Sequence, residues 1–229
     1  MGALKEIRQD RWLFLTLIAI CYFWFLGAVF QMNVLLYGKE MLRLSDSQAS
    51  LLLVLTSIGI GAGSLLAGFF SEKKIEYGLV PLGGIGISIV CMLIGFNTQN
   101  VPQGFLLFSI LGCFSGVFIV PLNAYFQMKS PADRRGKYLA ASNIATSACI
   151  LLASAYLWLF GGQLKFNPAQ LFFVLGVFSV GMTLIMLKIL PEAFIRLLNW
   201  ILAHSLYRIK VVGHENIPCL LYTSPSPRD

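Results

Sequence analysis

The chain has 229 residues, of which 57% are hydrophobic and only 12% charged, about half the charged share of an ordinary soluble domain. That deficit excludes a soluble globular protein of this size, because the few charges cluster and leave apolar stretches of about 20 residues, the length that crosses bilayer hydrocarbon as a helix. The formal net charge of +7 would suit nucleic acid in a soluble protein, but here it follows from topology, and no nucleic-acid partner is expected.

The N-terminus is polar and basic, with Lys5, Arg8 and Arg11. The apolar stretch behind it is long, contains Trp24 and Phe25, and lacks a small-residue cleavage site. It therefore reads as a retained first helix and not as a signal peptide. Six spans are expected, at residues 12–36, 48–70, 79–97, 104–126, 137–161 and 169–189. Each must be helical, because a lone segment in lipid satisfies its backbone polar groups only internally. The fold class is thus an all-α membrane protein with six transmembrane helices.

After Pro191 the character changes. Residues 191–207 read as a linker containing an amphipathic helix. Phe194, Leu197, Leu198, Ile201 and Leu202 share one broad face opposite Glu192, Arg196 and Asn199, as in a helix lying in the membrane interface. Residues 208–218 alternate apolar and polar side chains, as a strand does. Residues 219–229 form a Ser/Pro tail without periodicity.

Orientation follows from lysine and arginine. Lys5, Arg8, Arg11, Lys73, Lys74, Lys129, Arg134, Arg135, Lys137, Lys188, Arg196, Arg208 and Lys210 fall on one side of the expected spans. The other side holds only Lys39, Arg43 and Lys165. This asymmetry predicts that both termini are cytoplasmic. All acidic residues also lie outside the spans, so no titratable relay is expected within the membrane.

Small residues crowd the second span, where Gly59 and Gly63 form a GxxxG pair and Ser64 and Gly68 repeat the spacing. Such stripes let helix backbones approach closely. Gly27-Ala28-Val29-Phe30 in the first span is echoed by Gly116-Val117-Phe118-Ile119 in the fourth. With the small-residue bias shared by spans two and five, the echo fits a three-plus-three repeat. Cys21, Cys91, Cys113 and Cys149 each sit in an apolar stretch and read as packing residues. No spacing suggests a metal site, and no cofactor is expected.

Several polar side chains fall inside the spans: Gln31 and Asn33, with Tyr37 near the outer end, Thr56 and Ser57, Asn123 and Gln127, and Asn143 with Thr146 and Ser147. An amide facing lipid is costly, so these should face protein or a water-filled path. Interhelical hydrogen bonding is one account of them and a polar-lined cavity the other. Pro121, mid-span, removes a backbone hydrogen bond and should kink the fourth helix, either as a hinge or as a shaping element.

The segment GSLLAGFFSEKKIEYGLVPLG, between spans two and three, resembles the cytoplasmic loop motif of the major facilitator transporters. In that motif a Gly-rich helix end meets a tight basic loop, matched in kind by Gly68, Lys73, Lys74 and Gly78. The usual Asp-Arg pair is missing, and Ser71-Glu72 and Lys73-Lys74 stand nearby, which points to a divergent branch. The segment from Gly116 to Asn143 is more specific. Through Pro121, Asn123, Gln127, Pro131, Arg135, Gly136, Ala141 and Asn143 it is similar to the bacterial lysophospholipid transporters of that superfamily. It is also similar to the transporter part of fused transporter–acyltransferase proteins that remodel phosphatidylethanolamine. WFLGAVFQ, from Trp24 to Gln31, agrees.

The resemblance implies that residues 1–190 are spans seven to twelve of a twelve-helix carrier, that is, its C-terminal half, working with an N-terminal six-helix half. It implies membrane lipids and a lysophospholipid substrate as partners, and a bacterial inner membrane as location. Gln31, Asn33, Asn123, Gln127 and Asn143 become candidates for headgroup contact. Lys73, Lys74 and Arg135, with Gly68 and Gly78, become candidates for gating or anionic-lipid contact; solvated topology charges are the alternative. Residues 208–218 resemble the opening strand of a glycerolipid acyltransferase domain in the parent protein. An alternative reading follows, in which the membrane part only anchors a bifunctional acyltransferase. That family needs a His and an Asp four residues apart, whereas His204 is followed five positions later by Ile209 and His214 by Cys219. No enzymatic activity is therefore expected of this chain. The tail CLLYTSPSPRD departs from the family and resembles foreign sequence.

Overall fold

The computed structural model describes residues 2–71, 76–96 and 100–189, together with Phe194, Ile195 and Asn199. Among these residues every regular element is helical. A short helix α1 (Gly2–Gln9) leads into α2 (Arg11–Glu40), α3 (Asp46–Phe70), α4 (Leu79–Phe96), α5 (Val101–Lys129) and α6 (Arg135–Leu157). A π-helical turn, Trp158–Gln163, extends α6, and α7 (Pro168–Ile189) closes the bundle. Six of these helices are long and apolar enough to cross a membrane, and they coincide with the six expected spans to within a few residues. The linker, strand and tail expected over 191–229, and Lys73 and Lys74, lie outside the described residues, apart from the three named above.

Local sequence explains the helix ends. Asp10 caps α2 by accepting from the Trp12 and Leu13 amides at 3.0 and 3.2 Å. Ser45 and Gln48 form a reciprocal capping box on α3, and Asn167 and Gln170 bond reciprocally at the start of α7, at 2.8 and 2.9 Å. Each arrangement satisfies amide donors that the first helical turn leaves without partners. At the far ends of α2 and α6 the chain reverses through Arg43 and Lys165, whose φ values are 55° and 53°. In both reversals the next amide reaches back six residues, Leu44 to the Gly38 carbonyl and Phe166 to the Phe160 carbonyl, each at 2.9 Å. The left-handed residue past the helix end, a place usually taken by glycine, is here a basic residue, and the closing bond is one residue longer than in the usual glycine cap. The cation near the carbonyl end of the helix offsets part of the left-handed cost.

Glycine sets the tightest packing. α3 and α5 share the most extensive interface in the bundle, with Gly59 and Gly63 facing Gly112, Cys113 and Gly116. A Cβ on any of the four glycines would run into a backbone carbonyl oxygen of the other helix. GxxxG pairs therefore lie on both sides of this contact, one more than the sequence suggested. Gly68, which repeats the spacing, has nothing within 4 Å of its would-be Cβ and lies off this contact, which continues through the fully buried Ala67 packed on Val117. The echoed glycines differ in role too: Gly116 is locked against α3, whereas Gly27 faces open space. α5 runs unbroken through Pro121, which is buried.

The interior is hydrocarbon and aromatic. Tyr37, Phe108 and Phe172 pack ring to ring, with centroids 5.4 to 5.5 Å apart. Specific polar bonds join the helices. Tyr22 donates to Ser179 at 2.5 Å, Asn33 to the Pro168 carbonyl at 2.9 Å, Tyr37 to the Ile94 carbonyl at 3.1 Å and Tyr156 to the Leu171 carbonyl at 2.8 Å. Thr56, Ser57, Thr146 and Ser147 instead bond back to carbonyls of their own helices. Of the two accounts, interhelical bonding does not describe these hydroxyls, which satisfy themselves on carbonyls about one turn earlier.

Candidate functional site

Burial is uneven among the spans. About 56% of the apolar window of α2 and 61% of those of α4 and α5 are buried, against only 22% for α3 and 17% for α6. α2 packs on both α3 and α6. α3 and α6 thus both flank α2 and stand largely uncovered.

The candidate polar residues divide between two levels and one buried position. Gln31 is exposed and lines a cavity of about 310 Å³ between α2, α3 and α5, together with Phe23, Phe30, Thr56, Ser57 and Ser115. Asn123 and Gln127 are exposed one turn apart on α5, and Asn143 is exposed on α6. None of these four amides makes a side-chain hydrogen bond among the described residues. At 1.5 Å per residue, counted from the ends of α2 and α5 that carry Arg11 and Lys129, Gln31 stands about 20 Å further along the bundle than Asn123. The structure therefore does not gather them into one pocket.

Asn33 is set apart. It is 2% exposed, donates to Pro168, and leaves its Oδ1 as a buried acceptor without a partner among the described residues. Its immediate role in the structure is to tie α2 to the start of α7.

Of the loop-motif residues, Gly68 is exposed at the end of α3 and Gly78 lies in the turn before α4. Arg135 is exposed at the first position of α6. The neighbouring Arg134 makes the structural contact that the motif did not reveal. Its guanidinium bonds the Glu6 carboxylate at 3.3 and 3.4 Å, and the Tyr138 hydroxyl donates to the same carboxylate at 3.1 Å. The charge of Glu6, with that of Asp133, holds the Arg134 guanidinium above its ordinary pKa. Ile7 is fully buried beside this contact, so α1 is pinned against the start of α6. Nothing local in the sequence signals this contact, because the partners Glu6 and Arg134 lie 128 positions apart.

A second cavity, of about 570 Å³, opens at the end of the bundle that carries Arg11 and Lys129. Its walls come from α2, α4, α5 and α7 and include Leu15, Pro121, Ile185 and Met186, with Trp12, Tyr77, Tyr125 and Lys129 among its lining. Tyr77 and Tyr125 meet edge to face with centroids 5.3 Å apart. On α5 this lining stands about half a turn around from Asn123 and Gln127.

Six apolar crossings and glycine-packed helix pairs define a multi-pass α-helical membrane protein. The Major Facilitator Superfamily profile matches residues 1–154, and the chain belongs to that superfamily. Among curated proteins it is similar to the "Lysophospholipid transporter LplT" of Photorhabdus laumondii, 31% identical over 140 residues, which is 60% of this chain and 34% of that protein. The proteins of the same name from Yersinia pestis and Yersinia pseudotuberculosis are 28% identical over 152 residues, 65% of this chain and 37% of theirs. The chain spans about a third of the length of these relatives. No solved structure matches it.

Proposed function

We propose that the chain is the C-terminal six-helix half of a lysophospholipid carrier of a bacterial inner membrane, with both termini in the cytoplasm. The observation that carries this reading is the set of unbonded, exposed amides on α2, α5 and α6, on a bundle similar to the LplT proteins. A phospholipid headgroup offers acceptors and charge, and uncharged amides bind it without the cost of burying an ion.

The two levels suit a path. Gln31, with Thr56, Ser57 and Ser115, receives the headgroup toward the outer side, and Asn123, Gln127 and Asn143 receive it nearer the cytoplasm. The uncovered flanks of α3 and α6 take the partner half, and the two halves rock about the path between them. Asn33 then supports the site through α7. Arg135, with Lys73, Lys74, Gly68 and Gly78, acts at the cytoplasmic gate, where cations also attract anionic lipid.

The test is transport. The chain is reconstituted together with an N-terminal six-helix half, and labelled lysophosphatidylethanolamine is followed across the bilayer. Loss of one hydrogen bond to a charged headgroup costs about 1.5–3 kcal/mol. Asn123→Ala and Gln127→Ala should each slow movement about tenfold or more with expression unchanged. Wild-type rates in both variants remove these residues from the path. Wild-type rates in Gln31→Ala and Asn143→Ala as well would defeat the reading.

A further inference from the structure

We propose that the cavity at the basic end of the bundle holds one acyl chain of a bilayer phospholipid, with the lipid phosphate at Lys129. The site is separate from the transport path: it shares no lining residue with the Gln31 cavity. The inference does not rest on the transport reading.

Three observations carry it. The volume, about 570 Å³, falls within the roughly 300–1,000 Å³ of ligand pockets. The walls are hydrocarbon, from Leu15, Pro121, Ile185 and Met186. An apolar space of this kind gains nothing from water, and inside a bilayer the medium that reaches it is acyl chain. The mouth is amphipathic. Trp12, half exposed in the first turn of α2, and Lys129, exposed in the last turn of α5, are placed at headgroup level, where tryptophan and lysine anchor membrane helices.

The charge at this end also fits. Arg11 opens α2, Lys129 closes α5, and Lys188 stands in the last turn of α7. Among the acids at this end, Asp10 caps α2 through the Trp12 and Leu13 amides, and Glu6 and Asp133 pair with Arg134. Lys129, the charged side chain among the described lining residues, supplies the positive charge that a phosphodiester needs.

The experiment uses the full 229-residue chain in detergent and a phosphatidylglycerol bearing a diazirine near the end of one acyl chain. Irradiation should label peptides containing Leu15 and Ile185–Met186 saturably. Ile185→Trp, which fills the space, should abolish that label. Lys129→Gln should weaken apparent affinity about fivefold, the effect of one lysine near a charged lipid surface. Helicity and elution volume show whether each variant is folded, and Lys129→Gln carries the test if Ile185→Trp is not. Unlabelled phosphatidylglycerol should compete at lower concentration than lysophosphatidylglycerol. Label confined to the open faces of α3 and α6, or unchanged in every folded variant, overturns the proposal. Stronger competition by the single-chain lipid also overturns it, by assigning the cavity to lysophospholipid.

Discussion

Replacing Gly63 with alanine tests the packing that holds the bundle together. A Cβ at that position would lie 2.7 Å from the Cys113 carbonyl carbon and 2.9 Å from its Cα, and closer still to its oxygen. Carbon atoms pack best at about 3.5–4.0 Å. Backbone cannot rotate away as a side chain does, so α5 must retreat by about 1 Å. A gap of that size forfeits roughly a quarter to a half of each contact's attraction along the interface. Overpacking of this kind costs about 1–3 kcal/mol. The upper half of that range is expected, because Gly59, Gly112 and Gly116 lie in the same contact. Gly61→Ala is the control: it sits two residues away on α3, with nothing within 4 Å. It should be neutral or gain up to about 1 kcal/mol in helix propensity. The assay is thermal or denaturant unfolding in detergent, followed by helicity. Once the helices are apart a second insertion costs less, so Gly63→Ala with Gly116→Ala should fall short of the sum by about 0.5–3 kcal/mol. Equal effects of Gly61→Ala and Gly63→Ala would refute the reasoning.

Lys165→Gly should stabilise the chain by about 1 kcal/mol, since it relieves a left-handed residue that is not glycine; Lys165→Val should do the reverse in the same unfolding assay. Asn33→Leu should fall within about 1 kcal/mol of wild type, because the bond lost to Pro168 is offset by removal of the unpartnered Oδ1. Asn33→Asp should cost about 3 kcal/mol or more by burying a charge without its donor, and similar values for the two variants would contradict this account. Tyr138→Phe and Glu6→Gln should each release α1, read as faster amide hydrogen exchange over residues 4–9 with no change in α4 or α7. Unchanged exchange would mean that burial of Ile7 alone secures α1.

Much of this architecture is local chemistry and was legible in the residues. The six crossings follow from apolar length, and Gly59 and Gly63 announced a close helix contact by spacing alone. The partner glycines, Gly112 and Gly116, carry the same spacing, but Gly116 stands out in the sequence only through its echo of Gly27, and Gly112 does not stand out at all. Which stripe meets which is decided by helix rotation and not by sequence distance. The same limit applies to the Glu6, Arg134 and Tyr138 contact, whose members are far apart along the chain. It applies again to Asn33, which looks like Gln31 in sequence but points into the bundle, where the Pro168 carbonyl receives it.

By itself the sequence determined what bilayer physics makes obligatory: helices wherever 20 apolar residues run together, charges outside them, and cations gathered at one end. Those features depend on each segment's own transfer from water to lipid, so they can be read segment by segment. Only the tertiary structure decided how the polar residues are used. It split the amides between two levels and a buried tie, turned the hydroxyls back onto their own helices, left α3 and α6 uncovered, and enclosed an apolar cavity beneath Lys129. Those outcomes depend on which faces of different helices meet, and that is fixed by packing across the whole bundle.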